Sequence, residues 1–146
     1  MLIIKELNKK DFELCYELDS NTISLWSKKQ WENELKKRGI KAFCLVRSNL
    51  VIGICVFQVI LDEAQINYFA INQKFQRQRF GTHLMNHLIK RCEKLKINKL
   101  CLEVSESNAA GCKFYRHFDF STLGIRKNYY KDGSNALLKE KKLIKE

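Results

Sequence analysis

Apolar and polar positions along the chain fall into two alternating periods, one of strands and one of helices. Residues 1–7 read as an opening strand. Asn8 then offers a cap for a helix to about residue 18, with Leu14, Cys15 and Leu18 as its inner stripe. A loop over 20–26 leads to Ser27-Lys28-Lys29-Gln30, a capping box for a helix that carries Trp31 and Leu35 on one face and stops near Gly39. Two apolar runs, 42–47 and 51–60, are separated by Ser48-Asn49 and predict a hairpin. Asp62-Glu63 turns the chain into a third strand over 64–71, completing an antiparallel meander.

The stretch that follows combines three features. The end of the third strand, Asn67-Tyr68-Phe69-Ala70-Ile71, runs into a polar, basic loop, Gln76-Arg77-Gln78-Arg79-Phe80-Gly81-Thr82. A helix from 81 to about 96 comes next, with Leu84, Met85, Leu88, Ile89, Cys92 and Leu95 at three- and four-residue intervals. A strand entering a helix in this way gathers backbone N–H groups and the positive end of the helix dipole, which makes an anion site.

Beyond it, 99–104 reads as a strand, and Ser107-Asn108 caps a helix over 109–117. Residues 124–130 and 136–142 suggest a closing hairpin around Lys131-Asp132-Gly133-Ser134, with a tail over 141–146 expected to fray. No linker-like composition or internal repeat interrupts this order. The expectation is one mixed α/β domain over residues 1–146.

Composition adds exclusions. No run of 18 or more apolar residues could span a membrane, and the first residues lack the cationic start of a signal peptide, so a soluble cytoplasmic protein away from membranes is expected. None of the six cysteines sits in a Cys-x-x-Cys pair, and five lie inside apolar runs or stripes. Buried free thiols are therefore expected rather than disulfides or zinc ligands. Proline is absent, so turns depend on Gly, Asn, Asp and Ser.

The net charge of +11 matters through its location. Residues 71–100 hold eight Lys and Arg against a single acid, Glu93. An excess focused there favours an anionic ligand or partner, nucleic acid included, although lysines that only solvate a helix face would give the same count. His83 and His87 stand four apart on the helix, yet no Glu follows the first and no third ligand is evident. A solvated basic face with Lys90 and Lys94 is the better reading, and no metal is assigned.

Two residues could carry proton chemistry. On the strand 99–104, Leu100, Leu102 and Val104 alternate with Cys101, Glu103 and Ser105. A carboxylate near the end of such a strand can act as a general base if burial raises its pKa, and a solvated glutamate fits the pattern as well. Tyr115, flanked by Phe114 and Phe118, reads either as a core aromatic or as a phenol of ordinary pKa about 10 suited to protonating a leaving thiolate.

The order of elements, the loop Gln76-Arg77-Gln78, and the segments Leu102-Glu103-Val104, Ser107-Asn108-Ala109-Ala110 and Arg126-Lys127-Asn128-Tyr129-Tyr130 resemble the GNAT acetyltransferases. Within them the segments, with residues 58–64, resemble the branch that acetylates the N-terminal alanine of a small-subunit ribosomal protein. The resemblance covers residues 55–135 well and is weak before Phe43. It implies the GNAT fold, a central mixed, mostly antiparallel sheet flanked by helices, with acetyl-CoA as donor and a protein N-terminus as acceptor.

By the same resemblance, Phe69, Ala70 and Ile71 receive the acetyl and pantetheine portions. Arg77, Gln78, Arg79, Phe80, Gly81 and Thr82 hold the pyrophosphate, Asn108 makes a further CoA contact, Glu103 is the general base and Tyr115 the general acid. An α-amino group, of pKa about 7.7–8.0 against about 10.4 for lysine, loses its proton more readily by about 3 kcal/mol, which suits a single carboxylate base. A lysine or small-amine acceptor is the nearest alternative, and a degenerate basic module that binds RNA or the ribosome is the alternative from another class.

The chain departs from the family at three places. Arg79 stands where family loops usually have glycine, and it could take a left-handed conformation at about 1–2 kcal/mol or an ordinary one that aims its guanidinium at phosphate. Ser24-Leu25-Trp26-Ser27 lacks a proline common before the tryptophan, and Phe118-Asp119-Phe120 replaces a common Leu-Gly-Phe.

Overall fold

The computed structural model describes residues 1–143. Seven strands form one sheet in the order β1-β2-β3-β4-β5-β7-β6, where β1 is Leu2–Leu7, β2 Ile40–Arg47, β3 Leu50–Ile60, β4 Glu63–Ile71, β5 Lys99–Ser105, β6 Ser121–Arg126 and β7 Ala136–Lys142. Every pairing is antiparallel except β4 with β5. This is the expected mixed, mostly antiparallel sheet, and helices cover both faces.

Helices α1 (Phe12–Ser20) and α2 (Lys28–Glu34) pack on one face, and α3 (Phe80–Lys94) and α4 (Ala109–His117) on the other. The local signals for these elements were legible. Asn8 and Asp11 form a capping box at a single 3-10 turn ahead of α1, Ser27 and Gln30 form one at α2, and Asn108 caps α4. Ser48 and Asn49 both adopt positive φ, which matches the twist of the β2–β3 hairpin. Gly39, at φ +80, closes the turn after α2, where an added Cβ would stand 2.4 Å from the Val59 carbonyl oxygen.

The sheet feeds a core on each face, and its alternation is broken twice. In β3, Leu45 pairs with Gly53 and Val46 with Val51, leaving Ile52 as an extra residue. In β4, Val56 pairs with Tyr68 and Phe57 with Ile66, leaving Asn67 as the extra one. Ala64 and Ile66 therefore face the α3/α4 core while Tyr68 and Ala70 face the α1/α2 core. The same bulge turns Phe69 and Ile71 toward the α3/α4 side.

Three expectations change. The sixth strand spans Ser121–Arg126 rather than 124–130, because Asn128 turns left-handed (φ 53) and its N–H goes to the Asn135 side chain instead of a ladder partner. Lys141 and Lys142 belong to β7 instead of fraying, while residues 144–146 of the expected tail lie outside the described residues. His87 does not sit on a solvated face. Its ring packs edge-on to Phe43 at 4.6 Å, and its Nε2 is buried without a hydrogen-bond partner. Burial, then the Arg91 charge, push its pKa down.

All six cysteines are free, and all but Cys101 are buried. Burial pushes the Cys44 and Cys92 thiols up to about 11, as expected of inert core residues. No helix among the described residues is long and apolar enough to cross a membrane.

Candidate active site

The site begins where the sheet stops being continuous. β4 and β5 run parallel and pair only through Glu63 with Lys99, Ala64 with Leu100 and Gln65 with Cys101. Past Gln65, β4 continues to Ile71 paired with β3 alone. Along that length, alternate backbone N–H and C=O groups of β4 face away from β3 with no strand beside them, and polar backbone in such a place requires a partner. The wedge so opened is a cleft of about 510 Å³.

Most of the residues singled out by resemblance line this cleft. Phe69, Ala70 and Ile71 form its strand side; Arg77, Arg79, Phe80, Gly81 and Thr82 form its loop and helix end; Asn108 and Tyr115 come from α4. Gln78 and Glu103 do not line it. Thr22 and Ile23, from the loop after α1, and Phe75, Ala110, Gly111 and Phe114, which complete the walls, were not among the expected site residues. Ile23, an apolar side chain 54% exposed in a polar loop, was the one signal available.

The α3 end of the cleft is an anion cradle by construction. Its N-cap residue Arg79 makes no side-chain cap, so the N–H groups of the first turn are left for another acceptor, in contrast with the capped starts of α2 and α4. Arg79 takes the left-handed conformation, φ 66 and ψ 15, which decides between its two expected states, and Arg77 is left-handed too. Gln76 ties the loop to the strand through Nε2 to the Ile71 carbonyl at 3.1 Å. The Arg47 guanidinium lies over Phe80 at 5.2 Å and Phe75 at 5.9 Å, adding positive charge at the cleft's edge.

On the α4 wall, Asn108 Oδ1 accepts from the Gly111 N–H at 2.9 Å to cap α4, which leaves its Nδ2 as a donor. Tyr115 is held by ring contacts to Phe114 at 5.4 Å, Phe120 at 5.6 Å and Phe69 at 6.4 Å. Burial, reinforced by neighbouring thiols, pushes its phenol well above the ordinary value, so it keeps its proton through the neutral range.

Glu103 sits across the sheet from these groups. Leu100, Leu102 and Val104 fill the α3/α4 core, so Glu103 faces the other side, about a quarter exposed and 3.4 Å from Arg126. Burial pushes the nearby Tyr130 phenol up, and the Glu103 charge adds to this. Glu103 stands two residues past Cys101, the last β5 residue paired with β4. Among the described residues no group of three His, Cys, Asp or Glu is arranged to hold a metal ion.

Residues 3–120 match the acetyltransferase (GNAT) family. The chain is 33% identical over 131 residues to the [ribosomal protein bS18]-alanine N-acetyltransferase of Escherichia coli (strain K12), which covers 89% of this chain and 88% of that protein. The protein of the same name from Haemophilus influenzae is 34% identical over the same shares. Among solved structures, the ribosomal-protein-S18-alanine N-acetyltransferase from Escherichia coli superposes with a TM-score of 0.93 at 30% identity, over 100% of this chain and 96% of that one.

Proposed function

As the chain belongs to the GNAT family of acetyltransferases, enzymes that take their acetyl group from acetyl-CoA, we propose that it acetylates the N-terminal alanine of the small-subunit ribosomal protein bS18. The observation that carries the acceptor is the likeness, over 89% of the chain, to enzymes named for that substrate. A single domain over 1–146 acting in the cytoplasm, on a protein N-terminus and without direct nucleic-acid contact, accords with this reading.

The cleft suits acetyl-CoA. It offers free strand backbone at Phe69, Ala70 and Ile71 for an extended amide-bearing arm, and an uncapped helix start with Arg77, Gln78, Arg79, Phe80, Gly81 and Thr82 around it for pyrophosphate. Asn108 Nδ2 adds a donor near the arm. Acetyl-CoA supplies a thioester, whose carbonyl gathers negative charge as an amine attacks. A β4 backbone N–H aimed into the cleft stabilises that charge, the electrostatic effect that is commonly the largest in acyl transfer.

Glu103, outside the cleft lining but beside the gap between β4 and β5, takes the proton from the acceptor amine through water. An α-amino group is partly neutral at pH 7–8, so little driving force is asked of the carboxylate. Tyr115, which retains its proton, delivers it to the departing sulfur from the α4 wall.

Mass spectrometry of protein N-termini after incubation with acetyl-CoA and ribosomal proteins tests activity and acceptor together. Acetylation confined to the alanine terminus of the small-subunit protein is expected. Turnover only on lysine or small amines would replace the acceptor, and no turnover on any N-terminus, lysine or small amine would replace the enzyme reading.

A further inference from the structure

Asp19, at the end of α1, is fully buried, and the proposed chemistry makes no use of it. Among the described residues its carboxylate has no cationic partner within salt-bridge distance. Oδ1 accepts from the Leu25 N–H at 3.0 Å and the Tyr68 hydroxyl at 3.0 Å; Oδ2 accepts from the Trp26 N–H at 3.0 Å and Trp31 Nε1 at 2.9 Å. Its carbonyl oxygen accepts from Thr22 at 3.0 Å and Ser24 at 2.7 Å. Four amides of the loop 21–26 thus end on one residue.

Enclosing a carboxylate is costly, and apolar residues of similar volume would hold a core at least as well, so packing alone does not explain the choice. What four converging donors add is direction. They join α1, the loop, α2 and β4 at one point, with Trp26, Trp31 and Tyr68 packed around it, edge-on or tilted, at centroid separations of 4.8–5.6 Å. Tyr68 immediately precedes Phe69 on the strand side of the cleft, and the loop puts Thr22 and Ile23 into the cleft wall. The carboxylate therefore sets the distance between wall and strand.

We propose that Asp19 is a positioning residue for the acceptor: it pins the loop 21–26 to β4 at the width that admits a peptide N-terminus with a small apolar first residue beside Phe69. The inference rests on the acyl-transfer reading of the cleft. The pyrophosphate cradle, built on α3, lies outside the pinned unit, so the acceptor should sense its loosening more than acetyl-CoA does.

The test compares Asp19→Asn and Tyr68→Phe with the unaltered protein. Steady-state kinetics would use a peptide beginning with alanine, calorimetry would measure acetyl-CoA binding, and tryptophan emission would report the loop. The chain's two tryptophans both belong to this cluster, so emission reads it directly. Tyr68→Phe removes one hydrogen bond to the carboxylate. It is expected to raise the KM for peptide about tenfold while kcat stays within about threefold and acetyl-CoA affinity within about twofold. Asp19→Asn moves the same quantities further, and if it does not fold, Tyr68→Phe decides.

A shift in emission with unchanged peptide KM would make the clamp merely structural and overturn the proposal. So would acetyl-CoA affinity falling in step with peptide KM. No turnover by the unaltered protein would overturn the acyl-transfer reading and this inference with it, whereas turnover unmoved in both variants overturns the role of Asp19 alone.

Discussion

Two loops border the cleft, and they are held in opposite ways. The loop 21–26 is fixed from within, its amides drawn to Asp19 and its tryptophan packed edge-to-face with Trp31. The loop that leads into α3 is tied to the strand by the Gln76 side chain, turns left-handed at both Arg77 and Arg79, and hands an uncapped helix start to whatever lies in the cleft. The first satisfies its polar groups with protein; the second presents them. On the proposed reading, the wall that selects an acceptor is rigid before the acceptor arrives, and the cradle for a charged donor keeps its N–H groups for that donor.

The largest effect is expected from a residue that neither loop holds. Tyr115→Phe should lower kcat by about 10²–10⁴-fold, followed as release of free CoA thiol, with little change in melting temperature, because only the hydroxyl is lost. A small loss would mean that the cleft works by positioning alone and that the loops carry the catalysis.

Next comes stability on the rigid side. Asp19→Asn turns one acceptor oxygen into a donor facing donors and should remove about 3 kcal/mol, a fall of roughly 6–12 °C in melting temperature by calorimetry. A much smaller fall would mean that the loop 21–26 is no better fixed than its counterpart.

On the open side the sign reverses. In Arg79→Gly the left-handed backbone is kept without the Cβ penalty, so stability should rise by about 0.5–1 kcal/mol in urea unfolding. Acetyl-CoA should bind more weakly by calorimetry, about threefold, because the guanidinium is lost while the backbone geometry stays. Unchanged affinity would remove Arg79 from the cradle.

The smallest effect concerns pH. The Tyr68 phenol on the rigid side and the Tyr115 phenol in the cleft are both raised, chiefly by burial. A group with a raised folded pKa stabilises fully below its unfolded value, about 10, and loses that contribution as pH rises beyond it. Denaturant midpoints should therefore show no slope from these tyrosines between pH 6 and about 9, and fall above about 10. Tyr68→Phe should blunt that fall.

The pattern of apolar positions, three capping motifs and one basic loop were local facts, and the sequence alone determined them. They set helices, hairpins and the strand–loop–helix unit to within a few residues, because caps and periodicity act over three or four positions. The sixth strand escaped this reading because Asn135, seven residues away, captures the N–H of Asn128. The resemblance of a few short segments to a family carried the site residues further than periodicity could.

Only the tertiary structure decided the rest. The bulge at Asn67 swaps the faces of β4, since the register of a strand is set by its partner. The early parting of β4 from β5 makes the cleft, and the packing of α4 on the face opposite Glu103 puts Tyr115 across the sheet from it. Arg79 is left-handed because the loop must turn into α3 there, although its side chain disfavours that conformation. Asp19 drew no notice in the sequence. Its burial depends on four donors from three separate segments, and no pattern along a single stretch of chain can show a meeting of that kind.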